Sequence, residues 1–329
     1  MNTLMDRLVD QEEALEFVKN AITLIKEKYI FSDVAEEIGT LLQENVNKGK
    51  YNTSYTYREF KKIIEEDMQS INGDKHLHIH IQEIETNEVD EKEMRQEYIR
   101  MAEKNNYGFH KMERLPGNVG YVDIRAFYDS DIASETAVHV MNSIIHTDAL
   151  IVDLRNNVGG SLNMVAVIAS YFFDELTHID GFYDRIEDKT SQVWTLPYVP
   201  GKLYLDKPVY VLTSKKTFSA GELFAYALKH QGRITVVGES TGGGANPGIY
   251  HQLTKQLRLF VSSGRSINPI TGTNWEGTGV EPDIVMEAEE SLPFTYEMAL
   301  SAVKEKYLSK QGYDFLLEEI EDAIKNQSK

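Results

Sequence analysis

The hydrophobic positions of the chain follow a helical period near the N-terminus and a strand-like pattern further on. Apolar residues recur every third or fourth position in two early stretches: Ala14, Phe17, Val18, Ala21 and Ile22, then Val34, Ile38, Leu41 and Leu42. The same period returns over residues 57–71. Because one side of each predicted helix is apolar, the stretches should pack together. We therefore predict a small N-terminal helical bundle that caps the rest of the chain.

From residue 119 onward, short apolar runs alternate with helical patterns. Strands are predicted at residues 119–125, 149–154, 208–213 and 234–238, and helices at 133–145, 162–173 and from 219. A hairpin is predicted over residues 250–261, a last strand at 280–285, and C-terminal helices at 291–307 and 313–325. Alternating strands and helices are typical of a mostly parallel sheet. The predicted fold class is α/β (α+β), with a bundle at residues 1–75 and a core at residues 76–329.

Composition and charge exclude several classes of protein. With 41% hydrophobic and 26% charged residues, the 329-residue chain resembles a soluble globular protein. Its 34 basic and 52 acidic residues give a net charge of −18, which argues against nucleic acid or an anionic membrane surface as a partner. The absence of cysteine excludes a thiol nucleophile, disulfides and cysteine-based zinc sites. The N-terminus lacks a signal-peptide pattern and no run approaches 18 apolar residues, so we expect a cytoplasmic protein without a membrane segment.

Ser219 lies where the strand predicted at residues 208–213 turns into a helix. Such a turn exposes the hydroxyl, and the free N–H groups of the helix start are suited to hold an oxyanion. The same residues also fit a capping box, in which Ser219 and Glu222 bond each other's backbone N–H groups. A nucleophile and a helix cap are both consistent with this stretch.

A second candidate turn follows the strand predicted at residues 149–154. It carries Gly159 and Gly160 immediately before an apolar helix. A glycine pair in this position permits a close backbone approach or a positive φ. A phosphate-binding loop is a weak alternative, because neither G-x-G-x-x-G nor the P-loop pattern with its lysine is present.

Together, residues 153–160 (DLRNNVGG) and 217–222 (TFSAGE) resemble the tail-specific, C-terminal processing serine peptidases. Residues 238–247 and 267–283 are similar to the branch of that family related to interphotoreceptor retinoid-binding protein. The resemblance implies a crotonase/ClpP-like β-β-α core and hydrolysis of a peptide or protein substrate through an acyl-enzyme on Ser219. The segment between Ile81 and Leu115 is too short for the PDZ module of many members, which favours the same branch.

The resemblance also suggests the other site residues, although one expected residue type is missing. Many tail-specific peptidases use a lysine base from a loop that corresponds here to residues 242–245 (GGGA), and Asn246 stands where the related branch often has histidine. His76, in a segment similar to an Asp-x-His-Thr-like signature, is the remaining base by resemblance. His110 and His251 are reserves. An acid that completes related sites is similar to Glu276. The oxyanion-hole candidates are Gly159, Gly160 and Ala220.

No metal site or cofactor is predicted. On a strand, His76, His78 and His80 would share one face, but His76 and His80 would be roughly 13 Å apart, so the three cannot easily share one ion. Two of them could, with a third ligand from elsewhere in the chain. Two other functions stay open. The chain could be a binding protein for an apolar or peptide ligand on the same scaffold, with Ser219 only a cap. An α/β-hydrolase esterase, with His251 as base, fits less well because Thr217 breaks the G-x-S-x-G pattern.

Overall fold

The computed structural model describes residues 4–52, 54–82 and 91–327. The helices, in chain order, are α1 (Gln11–Lys28), α2 (Ser32–Asn47), α3 (Tyr57–Gln69), α4 (Glu91–Lys104), α5 (Ser130–Ile144), α6 (Leu162–Ala169), α7 (Ala220–His230), α8 (Ala288–Tyr307) and α9 (Asp314–Gln327). The strands are β1 (Ile79–Ile81), β2 (Phe109–Leu115), β3 (Val119–Ile124), β4 (Ala149–Asp153), β5 (His178–Asp184), β6 (Lys189–Trp194), β7 (Val209–Thr213), β8 (Thr235–Gly238), β9 (Gly248–Gln252), β10 (Leu257–Ser262), β11 (Gly264–Ile267) and β12 (Ile284–Val285).

The chain divides into two compact units, each made of several segments. The smaller unit comprises Met1–Glu91, Phe182–Ser191 and Gly244–Ile267. The larger unit comprises Lys92–Gly181, Gln192–Gly243 and Asn268–Lys329. The predicted domain boundary after residue 75 stays a prediction. The two units are defined by compactness, which does not identify domains.

The smaller unit combines helices α1 to α3 with an antiparallel sheet of strand order β1-β10-β9. Asp10 caps α1 by accepting the N–H of Glu12 at 2.9 Å, and a Thr56–Glu59 capping box begins α3. The apolar faces of the helices pack with the inward side of β10 in one hydrophobic core. The helical pattern predicted for the N-terminal residues is therefore confirmed, but its core also requires a hairpin from much later in the chain.

The larger unit is built on a six-stranded sheet of order β12-β8-β7-β4-β3-β2. Neighbouring strands are parallel except at the edge, where β2 runs antiparallel to β3. Every residue of β4 is buried, as expected for a central strand covered on both faces. Helices α8 and α9 pack on one face, against Val119, Ala149, Ile151, Leu212 and Val237. Helices α5 and α7 each connect two neighbouring parallel strands, α6 follows β4, and α6 packs against both α5 and α7.

The central sheet brings the two candidate turns to one edge. Strands β4 and β7 are adjacent and parallel, with Asp153 opposite Leu212. The segments after their carboxyl ends lead into α6 and α7, so residues 154–161 and 214–219 meet beyond the same end of the sheet. The predicted α/β class with a mostly parallel sheet is confirmed.

Several elements differ from the predicted pattern. Strand β1 begins only at Ile79, so His76 precedes the strand and the three histidines do not form one continuous strand face. Strands β2, β5, β6 and β11 were not predicted. Residues 83–90 of the predicted charged connector lie outside the described residues, and its later part forms α4. Among the described helices, none has the length and apolarity needed to cross a membrane.

Candidate active site

Ser219 occupies an unusual backbone conformation in the turn between β7 and α7. Its φ is 51° and its ψ is −118°. An ordinary N-cap residue is extended, whereas a side-chain-bearing residue in this region costs of order 1–3 kcal/mol in strain. A helix cap alone does not require this conformation. Strained residues of this kind cluster at functional sites, so the conformation supports a functional role for this turn.

Hydrogen bonds join the Ser219 turn to the turn after β4. The Thr217 hydroxyl donates to the Leu154 carbonyl at 2.8 Å, and the Phe218 N–H donates to the Asn157 carbonyl at 3.0 Å. Thr217 is fully buried, so its hydroxyl bond also satisfies a polar group that water does not reach. The two motifs that the resemblance linked are therefore parts of one local structure.

Gly159 allows the closest approach between these two turns. A Cβ atom on Gly159 would lie 2.7 Å from the Ser219 Cβ and 3.1 Å from the Ala220 nitrogen, and the φ of Gly159 is +95°. Its N–H donates to Asn157 Oδ1 at 2.9 Å. Gly160 has a φ of +131°, and a Cβ there would lie 2.1 Å from the Phe127 carbonyl oxygen. A larger residue at position 159 would collide with the Ser219 turn, and one at position 160 would collide with the Phe127 backbone.

Glu222 connects the Ser219 turn with the glycine-rich loop. Its fully buried carboxylate accepts the Ser219 N–H at 2.7 Å through Oε2. Its Oε1 accepts the Thr241 hydroxyl at 2.5 Å and the Gly243 N–H at 2.7 Å. The bond from the Ser219 N–H to Glu222 is the half of the predicted capping box that has good geometry, and Glu222 does more than cap the helix. Sequence reasoning missed Thr241 and Gly243, since no local pattern links them to position 222.

An internal ion pair holds the other turn in place. Arg155 donates to both oxygens of Asp153, through Nε to Oδ1 at 2.9 Å and through Nη2 to Oδ2 at 2.6 Å. Its Nη1 donates to the Ala288 carbonyl at 2.8 Å, which connects the turn to the start of α8. The hydrogen bonds to Asp153 raise the pKa of Arg155 above its usual value. Both residues belong to the motif at residues 153–160, but the sequence did not indicate their ion pair or the contact with Ala288.

His76 lies in the smaller unit, beside a buried aspartate. Asp74 accepts the Tyr29 hydroxyl at 2.9 Å, the Ser262 hydroxyl at 2.9 Å and the His76 N–H at 2.8 Å. The His76 Nδ1 is 3.8 Å from Asp74 Oδ1, and its ring stacks on Phe260. Burial lowers the pKa of His76 to about 4, although the charge of Asp74 opposes this shift. The ring is therefore neutral at pH 7.

The other histidines that entered the sequence analysis lie in separate environments. His78 Nδ1 is 2.8 Å from the His76 carbonyl oxygen, and His78 Nε2 is 2.6 Å from the Tyr250 hydroxyl. His251 is half-buried on β9, and burial lowers its pKa. His110 is exposed on β2 in the larger unit. Over residues 4–52, 54–82 and 91–327, no group of three or more His, Asp or Glu side chains is placed to hold a metal ion.

Glu276 lies in a turn of the larger unit. Its N–H donates to Asn274 Oδ1 at 3.0 Å, and the next residue, Gly277, donates to the Gly243 carbonyl at 3.0 Å. The Glu276 turn thus contacts the loop that Glu222 holds. Asn246 is fully buried and belongs to the smaller unit, as does His76, whereas Ser219 and Glu276 belong to the larger unit.

A serine in a strained strand-to-helix turn, next to glycine backbone, is the geometry of a serine-nucleophile site on an α/β fold. The sequence model of peptidase family S41 matches residues 118–286, which span the larger part of this sheet and both turns. The model described as the N-terminal domain of that family in eukaryotic IRBP matches residues 11–115. The chain belongs to peptidase family S41. The resemblance to the branch related to interphotoreceptor retinoid-binding protein is confirmed, while the lack of a PDZ module stays a prediction.

Curated relatives carry names that agree with this family. The chain is 29% identical over 214 residues to a carboxy-terminal-processing protease of Bartonella bacilliformis, covering 63% of this chain and 44% of the relative. It is 34% identical over 175 residues to a carboxyl-terminal-processing protease of a Synechocystis species, covering 52% and 39%. The chain spans less than half the length of these relatives.

Solved structures support the fold. A lipoprotein from Streptococcus agalactiae aligns with a TM-score of 0.57 at 19% identity, covering 89% of this chain and 96% of that one. The photosystem II D1 C-terminal processing protease aligns with a TM-score of 0.53 at 15% identity, covering 84% and 94%. The tricorn protease aligns with a TM-score of 0.56 at 14% identity, covering 97% and 37%. At these identities the likeness concerns the fold alone.

The strain at Ser219 predicts a difference between two substitutions that both remove the hydroxyl. Ser219→Gly should be more stable than Ser219→Ala by about 1 kcal/mol, because glycine adopts a φ of 51° without steric cost. Denaturant unfolding of the two variants measures the difference. Equal stability, or a more stable alanine variant, would show that the turn is not strained in solution.

The low pKa of His76 predicts a pH-dependent stability. Between the folded value of about 4 and the ordinary 6.5, the unfolded chain binds more protons at this position than the folded chain. Stability should therefore fall as the pH drops through this range, by about 2 kcal/mol between pH 7 and pH 5 for this group. His76→Gln should remove that part of the slope, whatever its absolute stability. The exposed His139→Gln is the matched control, and an unchanged slope in His76→Gln would contradict the assignment.

Proposed function

We propose that this protein is a serine peptidase that hydrolyses peptide bonds through an acyl-enzyme on Ser219. The observation that carries the proposal is the strained Ser219 turn, joined to Gly159 and braced by the buried Glu222 carboxylate. Membership of family S41 supports the same chemistry. The names of the relatives add an expected substrate class, namely peptides or proteins cleaved near their C-termini.

In the proposed first step, the Ser219 oxygen attacks the scissile carbonyl carbon and its proton passes to a base. The carbonyl oxygen becomes an oxyanion, which needs N–H donors at about 2.7–3.1 Å. The backbone N–H groups of Ala220 and Gly160 are the donors we assign. The Gly159 N–H already donates to Asn157 Oδ1, so Gly159 contributes chiefly by leaving room beside Ser219. Collapse of the intermediate breaks the C–N bond and leaves the acyl group on Ser219, which water then removes.

We propose His76 as the base, on the resemblance of its segment to the family signature. Its neutral ring is in the protonation state that accepts a proton, and once protonated it is a strong donor to the leaving amine. Asp74 fixes the backbone beside the ring through the His76 N–H. Because His76 and Ser219 belong to different compact units, the proposal requires their reacting atoms to come within about 2.6–3.2 Å in the working enzyme.

Glu276 is the proposed acid that completes the site. The support is again the resemblance, together with the contact between its turn and the Gly243 loop. In this role the carboxylate would stabilise positive charge that develops on the base, and it would take no proton itself.

A binding protein on the same scaffold is the second candidate. The specific observation in its favour is the glycine-rich loop at residues 242–245, which carries no lysine, followed by Asn246 in place of histidine. In that case Ser219 would remain a structural residue without turnover. The labelling experiment below separates the two functions, since it requires a reactive serine.

A fluorophosphonate should label the protein at Ser219, because the reagent reacts with a serine that a base and an oxyanion hole activate. Ser219→Ala should abolish both labelling and peptide hydrolysis while costing only about 1 kcal/mol of stability. Mass spectrometry of the labelled peptide measures the site, and the exposed Ser301→Ala is the control. Hydrolysis that persists in pure Ser219→Ala would remove Ser219 as nucleophile, and failure to label under a range of conditions would favour the binding protein.

His76→Ala should lower kcat by at least ~10² with the fold intact, because removal of a general base costs that factor or more. His251→Ala, on the β9 strand, should lower it much less. Steady-state kinetics of the two variants, with circular dichroism as the check on folding, give the ranking. If His251→Ala were the more damaging change, the esterase hypothesis would replace this one.

A further inference from the structure

Strained backbone occurs at a second place in the larger unit, between α4 and β2. Asn106, Tyr107 and Gly108 have φ values of 47°, 52° and 89° in succession. Left-handed residues that carry side chains are individually uncommon, and clusters of them mark functional loops more often than ordinary connectors. A Cβ on Gly108 would lie 2.0 Å from the Ala126 carbonyl oxygen, so this loop is pressed against the segment that follows β3.

The strained loop forms one wall of a cleft of about 630 Å³. Lys104, His110 and Arg125 all line it, and the described lining residues include no aspartate or glutamate. This composition is unusual in a chain with a net charge of −18. Asp123 offsets part of the Arg125 charge at 3.2 Å, but Lys104 lies exposed at the end of α4. The cleft therefore carries a local positive potential that favours an anionic group.

Part of the cleft lining is adjacent in the chain to the glycine pair beside Ser219. Val158, which lines the cleft and is 68% exposed, donates its N–H to the Arg125 carbonyl at 3.0 Å. The Phe127 N–H donates to the carbonyl of the next residue, Gly159, at 2.8 Å. Since a Cβ on Gly159 would lie 2.7 Å from the Ser219 Cβ, residues 158–159 connect the lining of the cleft with the Ser219 turn.

We propose that this cleft is a substrate subsite that binds a carboxylate of the peptide through Lys104 and Arg125, with His110 adding charge when it is protonated. The carboxylate lies at the peptide's C-terminus or on an acidic side chain near the bond that is cleaved. Arg125 contributes the guanidinium donors that remain beside its Nε and Nη2 bonds to Asp123, and Lys104 contributes a point charge. Tyr128 and Asn156 also line the cleft, and Asn156 adds a polar side chain. The assignment rests on the proposed peptidase function of Ser219 and adds to it a preference among substrates.

The test uses three fluorescence-quenched hexapeptide libraries that differ in one group. The first ends in a free carboxylate, the second in an amide, and the third in an amide with one internal aspartate. The wild type should hydrolyse the first or the third library with at least tenfold higher kcat/KM than the second, mainly through KM. In Lys104→Gln/Arg125→Gln this preference should fall by at least tenfold. In Lys202→Gln, an exposed lysine of the same unit outside the cleft, it should be unchanged.

The outcomes separate this assignment from the peptidase proposal. Binding of the same libraries to Ser219→Ala, measured by fluorescence anisotropy, reports carboxylate recognition without turnover. In one outcome the wild type binds the carboxylate libraries, the double variant loses that binding, and none of the libraries is hydrolysed. That result would uphold the subsite and remove the peptidase. Hydrolysis of all three libraries at equal rates would remove the subsite and keep the peptidase. A carboxylate preference that survives in the double variant would place recognition elsewhere and overturn the assignment. The charge-reversed Lys104→Glu should invert the preference, which a general loss of folding does not do.

Discussion

The buried carboxylate of Glu222 is the interaction on which the candidate site depends. It accepts one hydrogen bond from the Ser219 backbone and two from residues 241 and 243, which lie some twenty positions later in the chain. A hydrogen bond contributes about 0.5–1.5 kcal/mol net, so the three bonds together are sufficient to offset a backbone strain of order 1–3 kcal/mol. A serine that served only as a helix cap would need one hydrogen-bond partner. Here the Ser219 N–H, the Thr241 hydroxyl and the Gly243 N–H all donate to the same carboxyl group. The Ser219 turn is therefore held from the loop side as well as from the helix.

A parallel sheet makes this arrangement possible. Because β4 and β7 are neighbours with the same direction, Leu154 and Thr217 emerge at one edge, and side-chain to backbone bonds are enough to join the turns. Gly159 then determines how closely the turns approach, since a single Cβ there would overlap Ser219. The smaller unit has a comparable arrangement at Asp74. Its two oxygens accept hydrogen bonds from the Tyr29 hydroxyl, the Ser262 hydroxyl and the His76 N–H. In both units one buried carboxylate organises segments that are distant in sequence.

Local patterns were sufficient to predict the helices and the central strands, because their apolar positions repeat with a clear period. Ser219, Gly159 and Glu222 were also visible, since strand-turn-helix sites and capping boxes are local features. Strand β2 could not be predicted in this way. Most of its residues are exposed and it pairs only at a sheet edge, where alternation of apolar and polar residues is not required. The histidine pattern was misleading: the Leu77 N–H donates to the Asp74 carbonyl, and this turn delays β1 until Ile79. The partners of Glu222 depend on tertiary contacts, and no sequence period encodes those.

The packing of the glycine-rich loop leaves little room for the lysine base that many tail-specific peptidases have there. A Cβ on Gly242 would lie 2.8 Å from the Phe218 ring, and Gly243 has a φ of +84° with its N–H committed to Glu222. A lysine at either position would have to displace the ring beside the nucleophile or adopt a strained backbone. The glycines at positions 242 and 243 thus allow close packing of this loop against the Ser219 turn. A base supplied from position 242 or 243 would therefore conflict with the packing of the Ser219 turn, whereas the proposed base, His76, leaves these contacts in place.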